Sequence, residues 1–280
     1  MSQPRIAAVL IVKNEGENLR ACLQSVAGWV DEIVILDSGS SDNTLEIAAQ
    51  FGARIFHNAP WPGFGKQRQV AQCHVTATWC LWLDADEVVP KELGEEIRGI
   101  VQQAPARNLY AFPRLNWYFG RYIRHCGWYP KPVVRLYPTN LTQYNDDAVH
   151  ERVIIGREMS VHVCHNPLLH YPYTDLRHHV AKSSCYAHDW AQARHARGKR
   201  SSLLSAAAHA LVRFIRMYLL QRGFLDGRAG LLLCILSSYY TYLKYAELWI
   251  LQSGLASAPH RIDDGQQAQS QTQQKDPSCH

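Results

Sequence analysis

Two carboxylates close an apolar run, Trp79-Cys80-Leu81-Trp82-Leu83-Asp84-Ala85-Asp86. Burying either acid unpaired is prohibitive, so the run reads as a buried strand that delivers its acids to the mouth of a sheet, where something cationic meets them. If the strand stays extended through Ala85, its period of two puts Asp84 and Asp86 on one side, and a hard divalent ion with oxygen ligands suits them there. Such an ion keeps waters and takes further oxygens from a substrate diphosphate. Asp-X-Asp at a strand end also serves as a helix cap or a solvated turn; the chain ahead of it favours the site.

The elements that must position these acids lie upstream. Ile6 to Val12 is a continuous apolar run, followed by Lys13-Asn14-Glu15-Gly16-Glu17 and a helical pattern through Leu19, Leu23 and Val26. Glu32 to Asp37 is a second buried strand ending in an acid, and Ser38-Gly39-Ser40-Ser41-Asp42-Asn43 leads into a helix from Thr44 to Phe51, with Asp42 or Asn43 as its cap. A short strand over 53–56, the breaking loop Asn58 to Gly65 and a helix over 66–75 precede the Trp79 run. Strands alternating with single helices predict an α/β fold whose mostly parallel sheet is covered on both faces. Ligands of such sheets bind at the carboxyl ends of the strands, which is where Asn14, Glu15, Asp37, Asp84 and Asp86 gather. No Gly-X-Gly-X-X-Gly follows the first strand, and Gln67 stands where a phosphate loop needs Ser or Thr after Gly65-Lys66.

Composition narrows the class. The 280 residues carry a net charge of +5 and eight cysteines with no Cys-X-X-Cys pair, so the thiols read as reduced core residues. His162-Val163-Cys164-His165 with His125-Cys126 lacks the spacing of a zinc module. The start Met1-Ser2-Gln3-Pro4-Arg5 has no signal-peptide pattern, and the expected place is the cytoplasm. Arg177 to Arg222 is strongly basic, with Asp189 its one acid, which suggests an anionic partner: phospholipid, an acidic acceptor or nucleic acid. A nucleic-acid-binding protein using Arg194 to Arg200 is the reading from another class; it leaves the strand-end acids unexplained and has no recognised reader motif, so no nucleic-acid partner is expected.

Leu10-Ile11-Val12-Lys13-Asn14-Glu15, Asp37-Ser38-Gly39-Ser40-Ser41-Asp42-Asn43-Thr44 and Leu83-Asp84-Ala85-Asp86-Glu87, in this order, resemble the nucleotide-sugar-binding half of family 2 glycosyltransferases with the GT-A (Rossmann-like) fold. Gly63-Phe64-Gly65-Lys66-Gln67-Arg68, Trp128-Tyr129-Pro130, Val149-His150-Glu151 and the basic C-terminal region look like bacterial lipopolysaccharide-core β-1,4-glucosyltransferases, a likeness over roughly residues 5–250. The resemblance implies that Asn14, Glu15 and Asp37 bind the nucleoside of a UDP-sugar, that Lys66 and Arg68 reach its diphosphate, that Asp84 faces ribose or metal, and that Asp86 with His170 binds Mg²⁺ or Mn²⁺. Each has a plain alternative: a solvated loop for Glu15, surface cations for Lys66 and Arg68, packing for His170. An inverting transfer needs a base for the acceptor hydroxyl; Glu151 is preferred over Asp146 and Asp147, which look like a turn, although Arg152 or a helix cap could claim it. Among Trp117, Tyr118, Trp128 and Tyr129, Trp128 is the preferred acceptor contact, with core packing the competing use.

From Leu203 an apolar stripe of helical period has Arg213 and Arg216 on its other side, and Leu231 to Leu243, closed by Lys244 and Glu247, falls short of the roughly twenty residues of a spanning helix. Attachment in the plane of the inner leaflet, or a helix pair packed on the catalytic domain, is expected. The organisation predicted is therefore a GT-A domain over 1–175 (nucleotide-sugar half 5–100, acceptor half 101–175), a basic helical appendage over 176–252 that associates with the membrane, and a disordered tail over 253–280. Carried to function, the resemblance implies transfer of a hexose, glucose by preference, from a UDP-sugar to a membrane-bound inner-core saccharide, heptose by preference, on the cytoplasmic face of the cell membrane. Another envelope polysaccharide or a polyprenyl-linked sugar would use the same motifs.

Overall fold

Ile6–Val12 forms β1, buried on both sides, and its alternate side chains feed two different cores. Ala8, Leu10 and Val12 pack with α1 (Gly16–Val26), α2 (Thr44–Gln50) and α4 (Lys91–Gln103), whereas Ala7 and Val9 pack toward α3 (Phe64–Gln72), Tyr144 and Val153. That two-sided burial is why the strand reads as an unbroken apolar run. The computed structural model describes residues 3–103, 107–147 and 151–255. One compact unit takes the chain up to Trp117 together with Trp128–Pro172; the other takes Tyr118–Gly127 and the chain from Tyr173 onward.

In the first unit, β1 lies between β2 (Glu32–Asp37) and β4 (Trp79–Trp82), with β3 (Arg54–His57) beyond β2, all parallel. β9 (Val133–Pro138) runs antiparallel between β4 and β6 (Asn108–Phe112), and β10 (Ser160–Val163) adds parallel to β6, giving the order β10-β6-β9-β4-β1-β2-β3. The mostly parallel sheet with helices on both faces is the α/β fold expected. Trp82 Nε1 donates to Tyr137 Oη at 2.6 Å, and that hydroxyl donates to Gln72 at 2.9 Å, so the polar tips of these two buried rings are satisfied.

Three strands of a second, small sheet belong to the same unit. β5 (Glu87–Val88) pairs antiparallel with β11 (Leu168–His170), which runs parallel to β7 (Arg114–Tyr118), placing His170 opposite Glu87 and Asn116. The Trp79 run therefore does not stay extended to Asp86 as expected. β4 stops at Trp82, the chain turns with Glu87 N donating to Asp84 O at 3.0 Å, and Asp84 and Asp86 part company.

The second unit is helical apart from the short strand β8 (Arg121–Ile123). α5 (Leu176–His195) and α6 (Leu203–Ile215) both pack on α7 (Gly227–Gln252), and a π-helical turn, Arg216–Leu220, and a 3-10 turn, Gly223–Asp226, join the last two. Asp175 and Ser202 cap α5 and α6 by accepting from His178 N and Ser205 N. The apolar stretch Leu231–Leu243 does not end at Lys244. α7 runs on because Lys244 sits 4.9 Å from the Trp190 ring centroid and Glu247 pairs with His188. Tyr118–Gly127 joins this unit, beyond the boundary expected at 175, because Asp226, wholly buried, accepts from His125 N at 2.7 Å and faces His125 Nδ1 at 3.1 Å. Of the tail expected to be disordered, 256–280 lies outside the described residues. Among the described cysteines, Cys22, Cys73, Cys80, Cys126, Cys164 and Cys234 are free, and Cys73 is exposed rather than core.

His179 gives this unit a pH dependence. It is buried, stacked 3.9 Å from the Tyr173 ring centroid with its Nδ1 3.0 Å from Tyr118 Oη, and burial, then His178 and Lys182, lower its pKa from 6.5 to about 4. The unfolded chain thus binds a proton the folded chain refuses, so stability is complete above pH 6.5 and is lost as pH falls toward 4. Thermal melts should show about 2 kcal/mol less stability near pH 5 than near pH 7 from this group. The difference should vanish in His179→Gln; an unchanged slope in that variant removes His179 as its source.

Candidate active site

The loops after β1 and β2 bind one another. Asn14, in the left-handed region at φ 55°, donates its N–H to Ser40 Oγ at 2.9 Å and accepts from Ser41 N at 2.8 Å through its side chain. Glu15 N donates to Thr44 Oγ1 at 2.8 Å, and Gly16 N to Asp42 Oδ2 at 3.0 Å. Asp42 also accepts from Thr44 N, so it caps α2 and ties the two loops, while Asn43 makes no side-chain cap bond. Asp37 accepts from Gly39 N at 2.9 Å and Ser40 Oγ at 2.5 Å. The structure therefore brings Asn14, Glu15 and Asp37 into one edge, with Asn14 tying the loops and Asp37 holding its own turn. Only the lone pairs these bonds leave are open to a ligand.

Behind this edge lies a ladder of alternating charge. Arg68 donates through Nη2 to Asp84 Oδ1 at 2.6 Å and through Nε to Glu151 Oε1 at 3.1 Å. Arg135 reaches the other Asp84 oxygen and Glu87 Oε1 at 2.9 Å, and Arg114 lies 3.6 Å from the same Glu87 oxygen. Glu87, Arg68 and Arg135 are 0, 3 and 5% exposed, so each charge persists only because its neighbours neutralise it. Burial alone would raise the Asp84 pKa, yet Arg135 and Arg68 hold its carboxyl far below the usual range. Burial, with Glu87, Asp86 and Asp84 nearby, pushes the Cys22 thiol well up, which disqualifies it as a nucleophile.

Two expectations change here. Lys66 and Arg68 do not reach out together: Lys66 is exposed, whereas Arg68 turns inward and is clamped between Asp84 and Glu151, its guanidinium 4.9 Å from the Tyr144 ring centroid. Asp84, expected to face ribose or metal, spends both oxygens on guanidinium groups. The Gly63-Phe64-Gly65 segment serves close packing at its second glycine, because a Cβ on Gly65 would stand 2.0 Å from the Asn145 carbonyl oxygen. That approach lets α3 carry Arg68 to Glu151. Asp146 and Asp147 are exposed in the turn, where Asp146 accepts from Gln69 and Asp147 from Asn145. Trp128 is half-buried in the chain before β9.

Asp86 and His170, far apart in sequence, meet. His170 Nε2 lies 3.2 Å from Asp86 Oδ2, and its Nδ1 lies 2.6 Å from Asn116 Oδ1. With Nδ1–H donated to the amide oxygen, a neutral ring turns a lone pair toward the carboxylate. That contact is favourable only with a positive charge between them, a proton or a metal ion. Ligands at adjacent corners of an octahedron with arms of about 2.1 Å stand about 3.0 Å apart, so the spacing suits a divalent ion. No third His, Cys, Asp or Glu joins them among the described residues, which leaves the remaining positions to water and substrate oxygens.

Sequence reading missed Glu87, Arg114, Asn116 and Arg135. Arg135 carried a signal: it is a lone charge inside the apolar strand Val133-Val134-Arg135-Leu136-Tyr137, and a charge there demands a buried partner. Asn116 carried none, since its role depends on pairing across β11 and β7.

A polar site of this make at the carboxyl edge of a mostly parallel, doubly covered sheet defines an α/β ligand-binding protein of the doubly wound type. Residues 7–154 match the glycosyl transferase family 2 model, and the chain belongs to that family. A Rickettsia felis protein named "Uncharacterized glycosyltransferase" is 25% identical over 264 residues, covering 87% of this chain and 89% of its own. The lipopolysaccharide core biosynthesis glycosyltransferase LpsC of Rhizobium meliloti is 25% identical over 275 residues, 92% of this chain and 96% of that one. Among solved structures, S. aureus TarS aligns with a TM-score of 0.43 and 15% identity over 60% of this chain; the chain spans 36% of that longer one, a likeness too slight to argue from.

Proposed function

We propose that the chain is an inverting, metal-dependent hexosyltransferase that moves glucose from UDP-glucose to a lipid-linked inner-core saccharide, with heptose as the receiving sugar, at the cytoplasmic face of the cell membrane. The observation that carries this reading is the Asp86–His170 pair with Asn116 behind it, set at the same sheet edge as Glu15 and Asp37. The name of the Rhizobium meliloti relative supports the choice of acceptor.

On this reading Glu15 and Asp37 accept from the base and ribose of the donor. Asp86 and His170 hold Mg²⁺ or Mn²⁺, which when bound neutralises charge on the departing diphosphate. Exposed Lys66 adds a cation to the same end. Glu151 takes the proton of the acceptor hydroxyl: Arg68 fixes it through Oε1, leaving Oε2 as the accepting atom. Trp128 provides a face for the acceptor sugar.

The test is release of UDP from a panel of nucleotide sugars with Mg²⁺, Mn²⁺ or EDTA, in the presence of lipopolysaccharide truncated to its inner core. UDP-glucose with metal should be turned over fastest. Equal turnover of GDP- and dTDP-sugars, or no effect of EDTA, overturns the reading. For the base, Glu151→Gln keeps an oxygen for Arg68 but not the proton affinity, so kcat should fall about 10²- to 10⁴-fold with donor KM little changed. Asp146→Asn should leave kcat within about twofold; the reverse pattern would move the base to the turn.

A further inference from the structure

α6 turns its apolar side outward. Leu204, Leu211, Val212, Ile215 and Leu219 are 82, 61, 61, 40 and 55% exposed, while Ala206 and Met217 are buried. Over Leu203–Leu220 the mean hydropathy is 1.4, yet 11% of the stretch is buried. At 100° per residue, Leu211, Leu204, Ile215, Leu219 and Val212 fill one continuous sector about 100° wide, bordered on one side by Ser205, Arg216 and His209 and on the other by Tyr218 and Ala207. Leu220 and Phe224, in the two turns after α6, are also exposed. An apolar surface this continuous, with a polar and basic edge along one side, marks a place where water is replaced.

Charge identifies the replacement. Between Leu176 and Gln252 there are eleven Lys or Arg and three acids, Asp189, Asp226 and Glu247; Asp226 is 0% exposed and Glu247 pairs with His188. A second copy of this face would set cations mostly against cations, and residues 256–280 offer Ile262 as their one large aliphatic side chain. Phospholipid supplies both what the leucines and what the arginines need. A spanning orientation would carry Arg213 and Arg216 into the bilayer interior, whereas an in-plane helix keeps them at headgroup level. We propose that the outward sector of α6 and of the π-helical turn after it, from Leu204 to Leu219, is a docking surface for an anionic bilayer, lying along the membrane with its leucines in the acyl boundary and Arg216 among the phosphates. The proposal builds on the membrane-side location above, but its readout is lipid binding, so either can fail alone.

The full chain is floated with phosphatidylcholine vesicles and with vesicles that also contain phosphatidylglycerol. Binding to the anionic vesicles should be about tenfold or more stronger and should weaken as salt is raised. Leu211→Glu with Ile215→Glu, at two exposed positions, should lower it about tenfold or more while leaving the thermal melt and protection by UDP unchanged. Binding indifferent to lipid charge, or equal binding by the double variant, overturns the proposal. So does a lipid-free dimer that the double variant dissolves while no vesicle is bound, which would assign the face to a second copy.

Discussion

Asp86→Asn should cut metal-dependent sugar transfer about a hundredfold or more while leaving the fold intact. Asn matches Asp in shape and can still hydrogen-bond His170, so the turn between β4 and β5 keeps its geometry; what disappears is the charge that, with the imidazole, would hold the cation. Groups that only orient a metal ligand cost 10- to 100-fold when removed. Asn116→Ala, which frees His170 Nδ1, should fall in that range, and Asp86→Asn and His170→Ala should exceed it, by about a hundredfold or more in kcat/KM. The distinguishing measurement is protection by UDP against unfolding, with and without Mn²⁺. The parent should gain stability only with both present, and Asp86→Asn should gain none. Protection of the variant equal to that of the parent would falsify the metal role of this pair.

What the sequence could show of this site follows from how local each feature is. β1 and β2 were legible because a strand buried on both faces must be apolar throughout, and their terminal acids stand out against that background. The turn at Ala85–Asp86 was not legible. The apolar run gives no sign that β4 ends at Trp82, and β5 exists only because β11, some eighty positions later, pairs with it. The pairing of Asp86 with His170 could therefore be reached only through the family likeness, and Asn116 not at all.

Arg68 was misread although the information was local. Residues two apart on a helix point about 200° from one another, so Lys66 and Arg68 could not both address a diphosphate. The burial of Arg68 follows from the aromatic and acidic surfaces beneath α3: Tyr144, Trp82, Asp84 and Glu151. In the helical unit the length of α7 was underestimated for a similar reason. Lys244 and Glu247 look like an end from composition, and become tolerable only when Trp190 and His188 on α5 come alongside.

Arg135→Ala should be the most destabilising single change in the first unit. Arg135 is the rung between Asp84 and Glu87, and its removal strands one wholly buried and one largely buried carboxylate with only Arg68 and a more distant Arg114 to offset them. Breaking a buried pair from one side costs about 3–5 kcal/mol, or a fall in Tm of roughly 10 °C for a chain of this size. The pH dependence supplies a sharper criterion than the size of the loss. In the parent, the depressed pKa of Asp84 adds stability that is present above the unfolded carboxyl value and is lost as pH falls below it. In Arg135→Ala the same carboxyls lie in a site that favours their neutral form, so the folded state binds protons more readily than the unfolded one; in a His179→Gln background, which removes the opposing slope of that imidazole, stability should rise as pH is lowered from neutral toward about 5. Glu87, whose pKa burial already raises in the parent, gives a slope of the same sign there, so melts across that window should rise more steeply toward acid in the variant than in the parent carrying the same His179→Gln change. If the two slopes are equal in that background, Arg135 is not what keeps these carboxylates charged. Pairing Arg135→Met with Glu87→Leu, which empties the rung of both signs, should recover part of the loss.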